Sequence, residues 1–128
     1  MRKVIRTSDA PRPRGVYSQA IISGEFVFVA GQGPVNPETN QIESGDIKSE
    51  TRLALRNVRS ILQAAGSSFK DAVRIGVFLA DINDFQAMNE VFREFFPEDP
   101  PARTTVGCIL PKIKVEIDCI ARVRKHRR

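Results

Sequence analysis

Two segments of this 128-residue chain are apolar on both faces of a strand rather than on one. They are residues 26–29 (FVFV) and residues 75–79 (IGVFL). Because successive side chains of a strand point to opposite faces, these segments predict central strands of a sheet whose two faces both need cover. Two predicted helices can cover one face. We therefore expect the other face to pack against sister subunits in a closed homo-oligomer.

The remaining periodicity predicts the order β-β-α-β-α-β-β, which is typical of an α+β fold. We expect one helix over residues 47–65, capped by Asp46 or Ser49 and stopped by Gly66, and a second over about residues 84–96. No repeat or linker divides the chain, so residues 1–128 are predicted to form a single domain. The predicted strands are residues 16–22, 26–30, 72–79, 104–110 and 114–123, the first two forming a hairpin.

The net charge of +5 comes from the two ends of the chain. Residues 1–14 carry +4, residues 122–128 carry +5, and the body between them carries −4. Concentrated positive charge is typical of nucleic-acid binding, but terminal charges of this kind usually form solvated tails. We predict solvated ends and no nucleic-acid partner, with contact between a tail and RNA or an acidic partner as the alternative.

Several functions have no support in the motifs. No apolar run approaches the ~20 residues that cross a membrane, and no signal-peptide apolar region is present. Cys108, Cys119 and His126 are too few for a zinc site of the usual kind, so we expect no metal and predict both cysteines in the core. Residues 31–34 (GQGP) stop short of a dinucleotide fingerprint and there is no Walker loop, so we expect no cofactor.

Arg103 is well suited to binding a small anion. It follows a rigid Pro-Pro-Ala turn, and its guanidinium can bind a carboxylate through two parallel hydrogen bonds. If the last two strands form a hairpin around Pro111, Glu116 reaches the same cleft and can hold a water and shuttle its proton. The one tyrosine, Tyr17, can add a hydroxyl or a ring wall. Ordinary interpretations stay open: a loop-fixing arginine, a solvated glutamate and a packing tyrosine.

Seven segments follow one another in a familiar order: residues 15–20 (GVYSQA), 30–37 (AGQGPVNP), 57–66 (NVRSILQAAG), 77–85 (VFLADINDF), 101–103 (PAR), 110–112 (LPK) and 115–121 (VEIDCIA). Together they resemble the Rid family of reactive intermediate/imine deaminases. These are the YjgF-like proteins formerly described as endoribonuclease L-PSP. The resemblance covers nearly the whole chain.

The resemblance implies a chorismate-mutase-like mixed β-sheet with two helices on one face and the other face buried in a homotrimer. It also implies a cytoplasmic enzyme, without cofactor or metal, that hydrolyses enamines and imines such as 2-aminoacrylate to 2-keto acids and ammonia. Carried onto this chain, Arg103 clamps the substrate carboxylate and Glu116 positions and activates water. Tyr17 lines an intersubunit cleft from a different subunit than Arg103, and backbone groups of Gly31 and Thr105 hydrogen-bond the ligand.

Two residues depart from the deaminase subgroup: Ala30 stands where Ser is common, and Thr105 where Cys is common. The segment between Arg103 and Glu116 is also a residue or two shorter. We expect the missing hydroxyl at Ala30 to alter rate or substrate range, whereas Thr105 contributes only its backbone. Two alternatives are a non-catalytic ligand-binding or regulatory protein using the same cleft, and an RNA-binding protein or endoribonuclease acting through the basic ends.

Overall fold

The computed structural model describes residues 2–124. Its strands form one mixed sheet in the order β1-β2-β3-β6-β4-β5. The pair β4–β5 is parallel, and every other neighbouring pair is antiparallel. The strand bounds are β1 Arg2–Ile5, β2 Ala20–Ser23, β3 Phe26–Gln32, β4 Ala72–Leu79, β5 Ala102–Gly107 and β6 Val115–Arg122.

Two α-helices, α1 (Ile47–Ala64) and α2 (Phe85–Phe95), connect the strands, with short 3₁₀ turns at Phe69–Asp71 and Ile82–Asp84. The carboxylate of Asp46 accepts a hydrogen bond from the Ser49 backbone N–H at 2.8 Å, which caps α1 and stabilises it by about 1 kcal/mol. Gly66 follows the helix with a φ of +76°, a conformation that glycine adopts without strain. The predicted α+β class and the start and stop of the first helix are confirmed.

The core lies between the helices and one face of the sheet. Along β6, alternate side chains point into it: Val115, Ile117, Cys119 and Ala121 are buried. Burial and, to a smaller extent, the nearby Asp118 carboxylate together raise the pKa of the Cys119 thiol to about 12. This half of the cysteine prediction is confirmed.

The opposite face of the sheet carries exposed apolar side chains. Phe28 is 44% exposed, and Phe78 and Ile120 are half-buried. Both helices pack on the other face, so among residues 2–124 no helix covers this one. The face therefore has the apolar character that the two-sided strands predicted, and its burial against sister subunits stays a prediction.

Two expectations, one about the N-terminal end and one about Cys108, were wrong. The N-terminal segment is not a solvated tail, because β1 pairs with β2 and Ile5 is buried. Near the C-terminus, Arg122 and Arg124 form exposed ion pairs with Glu25 and Asp71, and residues 125–128 lie outside the described part of the chain, so the prediction for that end stays a prediction. Cys108 is exposed because β5 ends one residue before it and the chain leaves the sheet edge there.

The predicted hairpin between the last two strands is also wrong. Strand β4 lies between β5 and β6 and pairs with both. The segment β4–α2–β5 is a strand–helix–strand unit, and the crossover helix brings β5 back parallel to β4. Consequently β5 is an edge strand, and the loop after it must cross to the far side of β4.

Candidate functional site

A cavity of about 220 Å³ lies beside the end of β3 and the start of β6. Tyr17, Gly31 and Glu116, three of the predicted site residues, line it together. The rest of the lining comes from the segment before β2, from the last residue of β3 and from the loops that follow β3 and β5: Pro11, Arg12, Pro13, Arg14, Gln19, Gln32, Gly33, Val35, Ile42, Leu110, Pro111 and Ile113.

The Glu116 carboxyl group lies directly over the backbone of Gly31. A Cβ atom at Gly31 would overlap the Glu116 Oε2 atom and stand 2.8 Å from its Cδ. The pairing of β3 with β6 is also interrupted between Val29 and Gln32. A bulge of this kind bends a strand and exposes its backbone. Glycine is therefore required here so that the carboxylate can approach the bulged backbone closely.

Glu116 is placed in surroundings that favour holding a proton. Its side chain is half-buried, and the pKa of its carboxyl group is raised first by burial and then by the negative charge of Asp118. Asp118, two residues along the same strand face, accepts a hydrogen bond from the Gly76 N–H at 2.9 Å. A carboxyl group with a raised pKa can accept and return a proton near neutral pH more readily than a solvated one.

Two buried polar side chains of α1 hold the walls of the cavity. Asn57, 2% exposed, donates to the carbonyl oxygens of Gly33 and Val35 at 3.1 and 2.8 Å. Glu50, 1% exposed, accepts from the backbone N–H of Lys114 at 2.8 Å and from that of Gly45 at 3.2 Å. One helix thus anchors both the loop after β3 and the segment leading into β6.

The sequence contains a signal for these two anchors that the predictions above did not include. Glu50 and Asn57 are seven residues apart, which places them on one side of a helix. Together with Thr51, they interrupt a mostly apolar buried stripe of α1. A polar residue within such a stripe is buried only when it is hydrogen-bonded, so the pattern predicts side chains that hold neighbouring loops.

Tyr17 stands at the mouth of the cavity, 48% exposed. Its hydroxyl oxygen accepts a hydrogen bond from the backbone N–H of Arg14 at 3.0 Å. The ring is thereby tied to the segment before it and presents its outer side to solvent. This placement fits the predicted role of lining a cleft.

Arg103 lies on the other face of the sheet. It is in register with Ile75, whose side chain is buried beneath the helices, whereas Glu116 is in register with Phe78 on the open face. The two strands that carry Arg103 and Glu116 are separated by β4, or by about 10 Å across the sheet. The expectation that one chain brings both residues to one cleft is therefore wrong.

The guanidinium of Arg103 is held by side chains of α2. It donates to the Asn89 side-chain oxygen at 2.6 Å and lies 4.9 Å from the centre of the Phe92 ring and 5.4 Å from that of Phe85. Burial lowers the pKa of Arg103, but an arginine remains charged at physiological pH. The cation is thus oriented and partly desolvated, with most of its N–H donors uncommitted.

The surroundings of Arg103 form a second cavity, of about 350 Å³, with Asn89, Phe92, Arg93, Phe96, Pro100 and Pro101. Thr105 is half-buried on the same strand, two residues from Arg103, and does not line the cavity that contains Glu116. The predicted site residues therefore separate into two groups: Tyr17, Gly31 and Glu116 on one side, and Arg103 and Thr105 on the other.

Among residues 2–124, no group of three or more His, Cys, Asp and Glu side chains is arranged to hold a metal ion. Neither α1 nor α2 has the length and apolar character needed to cross a lipid bilayer, within the part of the chain described.

The fold and the cavity define a class: a small α+β protein with a ligand-sized cavity in which a half-buried glutamate can move a proton. The family described as Endoribonuclease L-PSP matches residues 7–123, and the chain belongs to that family, in which the Rid proteins are also found. The resemblance to the Rid family is thereby confirmed.

Three similar proteins illustrate the family. A RutC family protein from Pyrococcus horikoshii is 50% identical and covers 94% of this chain and 98% of its own length. A 2-iminobutanoate/2-iminopropanoate deaminase from Dermatophagoides farinae is 40% identical, with 93% of this chain and 94% of its own covered. A crystal structure of Escherichia coli TdcF with bound serine has a TM-score of 0.88 at 42% identity, covering 96% of this chain and 99% of that one.

Proposed function

We propose that the protein hydrolyses 2-imino acids and their enamine tautomers to 2-keto acids and ammonia. The observation that carries the proposal is the Glu116 carboxyl group, half-buried in a ligand-sized cavity and set over the bulged backbone at Gly31. The deaminase name of the Dermatophagoides farinae relative, 40% identical along nearly the whole chain, supports the same reaction class.

The reaction requires the protein mainly to position the substrate and a water molecule. A protonated imine is already electrophilic, so the site needs to hold the substrate carboxylate and a water in line with the imine carbon. Glu116 takes a proton from the water as its oxygen bonds to that carbon. In the resulting carbinolamine, Glu116 returns that proton to nitrogen and then takes the hydroxyl proton as the C=O bond forms and the C–N bond breaks. A 2-keto acid and ammonia leave, and ammonia takes the remaining proton from Glu116 as ammonium. Tyr17 closes the mouth of the cavity, and Gly31 offers backbone groups to the ligand.

Arg103 supplies the carboxylate clamp in this proposal, and it must come from a neighbouring subunit. Within one chain Arg103 and Glu116 lie on opposite faces of the sheet, so one chain does not complete the site. The apolar face with Phe28, Phe78 and Ile120 is the surface through which subunits associate. We propose a homotrimer, as the resemblance to the Rid family implies; in such a closed ring each subunit has one neighbour that provides Arg103 and one that receives it.

A coupled assay tests the proposal. A threonine dehydratase generates the enamine of 2-iminobutanoate, and the release of 2-oxobutanoate is followed with and without the protein. We expect wild type to accelerate keto-acid release and Arg103→Ala and Glu116→Gln not to accelerate it. The control variant Arg56→Ala, which removes an arginine from the exposed side of α1, should be fully active. Failure of the wild-type protein to accelerate keto-acid release, or full activity in Arg103→Ala, would exclude the proposed reaction or clamp.

A second candidate is ligand binding without turnover, because the similar TdcF structure holds serine. Under this candidate, serine and 2-oxobutanoate raise the melting temperature of the protein, and keto-acid release from the enamine proceeds at the uncatalysed rate. The same preparation thus separates the two candidates.

A further inference from the structure

One wall of the Glu116 cavity is basic. Arg12 and Arg14 both line it, from the segment between β1 and β2, and Glu116 is the one acidic residue among its lining side chains. Neither arginine lies within ion-pair distance of a carboxylate in residues 2–124, whereas Arg52, Arg122 and others do. The cavity therefore presents two arginine charges that no described carboxylate neutralises.

This wall is held in place by a network of hydrogen bonds. Gln19, 4% exposed, accepts from the Thr7 backbone N–H at 2.8 Å and donates to the Pro11 carbonyl oxygen at 2.8 Å. The backbone N–H of Arg12 donates to the side-chain oxygen of Asn40 at 3.0 Å. Both bonds hold the peptide unit that joins Pro11 to Arg12, so the two arginines project from an anchored segment.

The Arg14 side chain is itself oriented. Its Nη2 atom donates to the backbone carbonyl oxygen of Asn40 at 2.5 Å, and its backbone N–H donates to the Tyr17 hydroxyl at 3.0 Å. A guanidinium group has five N–H donors, so one bond to a neutral carbonyl oxygen leaves other N–H groups of Arg14 free to bind an anion. Arg14 is thus positioned beside Tyr17 with its charge uncommitted.

The cavity also has an apolar part. Val35, Ile42, Leu110 and Ile113 contribute it from the loops that follow β3 and β5. A ligand that contacts both Glu116 and the arginines therefore also meets aliphatic surface. A short methylene spacer ending in an anion has the matching character.

We propose that the preferred ligands of this cavity are dicarboxylic: 2-imino acids and 2-keto acids with a second carboxylate on a short methylene chain. Arg14, assisted by Arg12, binds the distal carboxylate, and the methylene groups pack on Ile113 and its apolar neighbours. This inference rests on the proposed function only in assigning the first carboxylate to Arg103 of a neighbouring subunit. Imines formed by oxidation of acidic amino acids are the substrate class that it names.

Calorimetry with two stable keto acids tests the ligand class. We expect 2-oxoglutarate to bind wild type at least about 10-fold more tightly than 2-oxobutanoate, since a hydrogen-bonded charge contributes about 1.5–3 kcal/mol. Arg14→Gln should remove about 10-fold or more of the 2-oxoglutarate affinity, leave 2-oxobutanoate within about twofold, and regain part of the loss as Arg14→Lys. The control, Arg56→Gln, should bind both keto acids as wild type does.

Equal affinity of the two keto acids for wild type, or an equal loss of both in Arg14→Gln, overturns the proposal. A kinetic comparison separates it from the proposed function. If 2-iminoglutarate and 2-iminobutanoate are deaminated equally well and Arg14→Gln changes neither rate, the ligand class is wrong and the reaction stands. If no imine is deaminated but 2-oxoglutarate still binds in an Arg14-dependent way, the reaction is wrong and the ligand class stands. A melting temperature equal to that of wild type shows that each variant is folded.

Discussion

Replacing Gly31 by Ala adds one methyl group at the most constrained point of the cavity. The new Cβ would overlap the Glu116 Oε2 atom and lie 2.8 Å from its Cδ and 3.0 Å from its Cγ. Non-bonded carbon atoms settle at about 3.5–4.0 Å, so the carboxyl group must withdraw by about 1 Å. The Gly31 backbone has no positive φ, so alanine introduces no backbone strain of its own.

The consequences for stability and for activity differ in size. The Glu116 side chain is flexible at its end, and turning it off its rotamer costs about 0.5–1.5 kcal/mol, part of which the lower chain entropy of alanine offsets. A 1 Å misplacement of a catalytic group, by contrast, can reduce the rate about 100-fold. We expect Gly31→Ala to lower kcat/KM for keto-acid release by about 100-fold while lowering the free energy of unfolding by less than about 1.5 kcal/mol.

The measurement pairs the coupled dehydratase assay with urea unfolding. Gly33→Ala is the matched control, because a Cβ there meets the flexible Cδ1 atom of Ile113 at 3.1 Å rather than the Glu116 carboxylate. The control should keep kcat/KM within about fivefold of wild type, a small steric cost. Retention of wild-type activity by Gly31→Ala would refute the reasoning about Glu116, and collapse of its fold would refute the estimate of the steric cost.

Three further predictions concern the supports of the site. Asn57→Ala leaves the buried carbonyl oxygen of Val35 without its donor and removes one of two donors from that of Gly33, which keeps the Val35 N–H at 2.9 Å, so urea unfolding should show a loss of about 1–3 kcal/mol, and a loss below about 0.5 kcal/mol would contradict the role given to Asn57. Because the pKa of Glu116 is raised, the folded state binds the proton of this carboxyl group more tightly than the unfolded state does. Wild type should therefore lose stability relative to Glu116→Gln as the pH rises from the ordinary glutamate pKa through the raised one. A difference in unfolding free energy that does not change with pH would contradict this. In Cys108→Ser the remaining thiol, Cys119, should be inert to Ellman's reagent in native buffer and react in urea, and reaction in native buffer would contradict its burial.

The parts of the fold that followed from sequence are those that local chemistry determines. The cap at Asp46 and the stop at Gly66 each depend on a few neighbouring residues, and both lie where they were predicted. The strict alternation of apolar residues in β6 likewise identified its buried face. The predicted second helix differs from α2 by one residue at each end.

The errors concern which strands are neighbours. The loop around Pro111 was interpreted as a hairpin turn, although the β4–α2–β5 segment has the strand–helix–strand pattern that favours a parallel pair. Recognising that pattern would have placed β5 beside β4 and Arg103 away from Glu116. The edge strand β1 was missed because its basic residues outweighed the short apolar pair Val4 and Ile5, yet positive charge is common on edge strands, where it discourages pairing with other chains.

The candidate site likewise contains residues that the sequence identifies locally and residues whose role depends on distant contacts. Glu116 and Tyr17 stood out by residue type and lie in one cavity, whereas the anchors Asn57 and Glu50 depend on loops distant in sequence. The contribution of Arg103 from a neighbouring subunit stays a proposal.

The rate of keto-acid release by mixed oligomers tests the central claim most directly. Arg103→Ala and Glu116→Gln subunits are co-expressed in equal amounts and compared with each variant alone. If each cleft takes Arg103 from one subunit and Glu116 from its neighbour, both variants are inactive alone, and about a quarter of the clefts in the mixture contain both intact residues. The account predicts recovery of roughly a quarter of wild-type activity in the mixture. A mixture as inactive as its parents would contradict it.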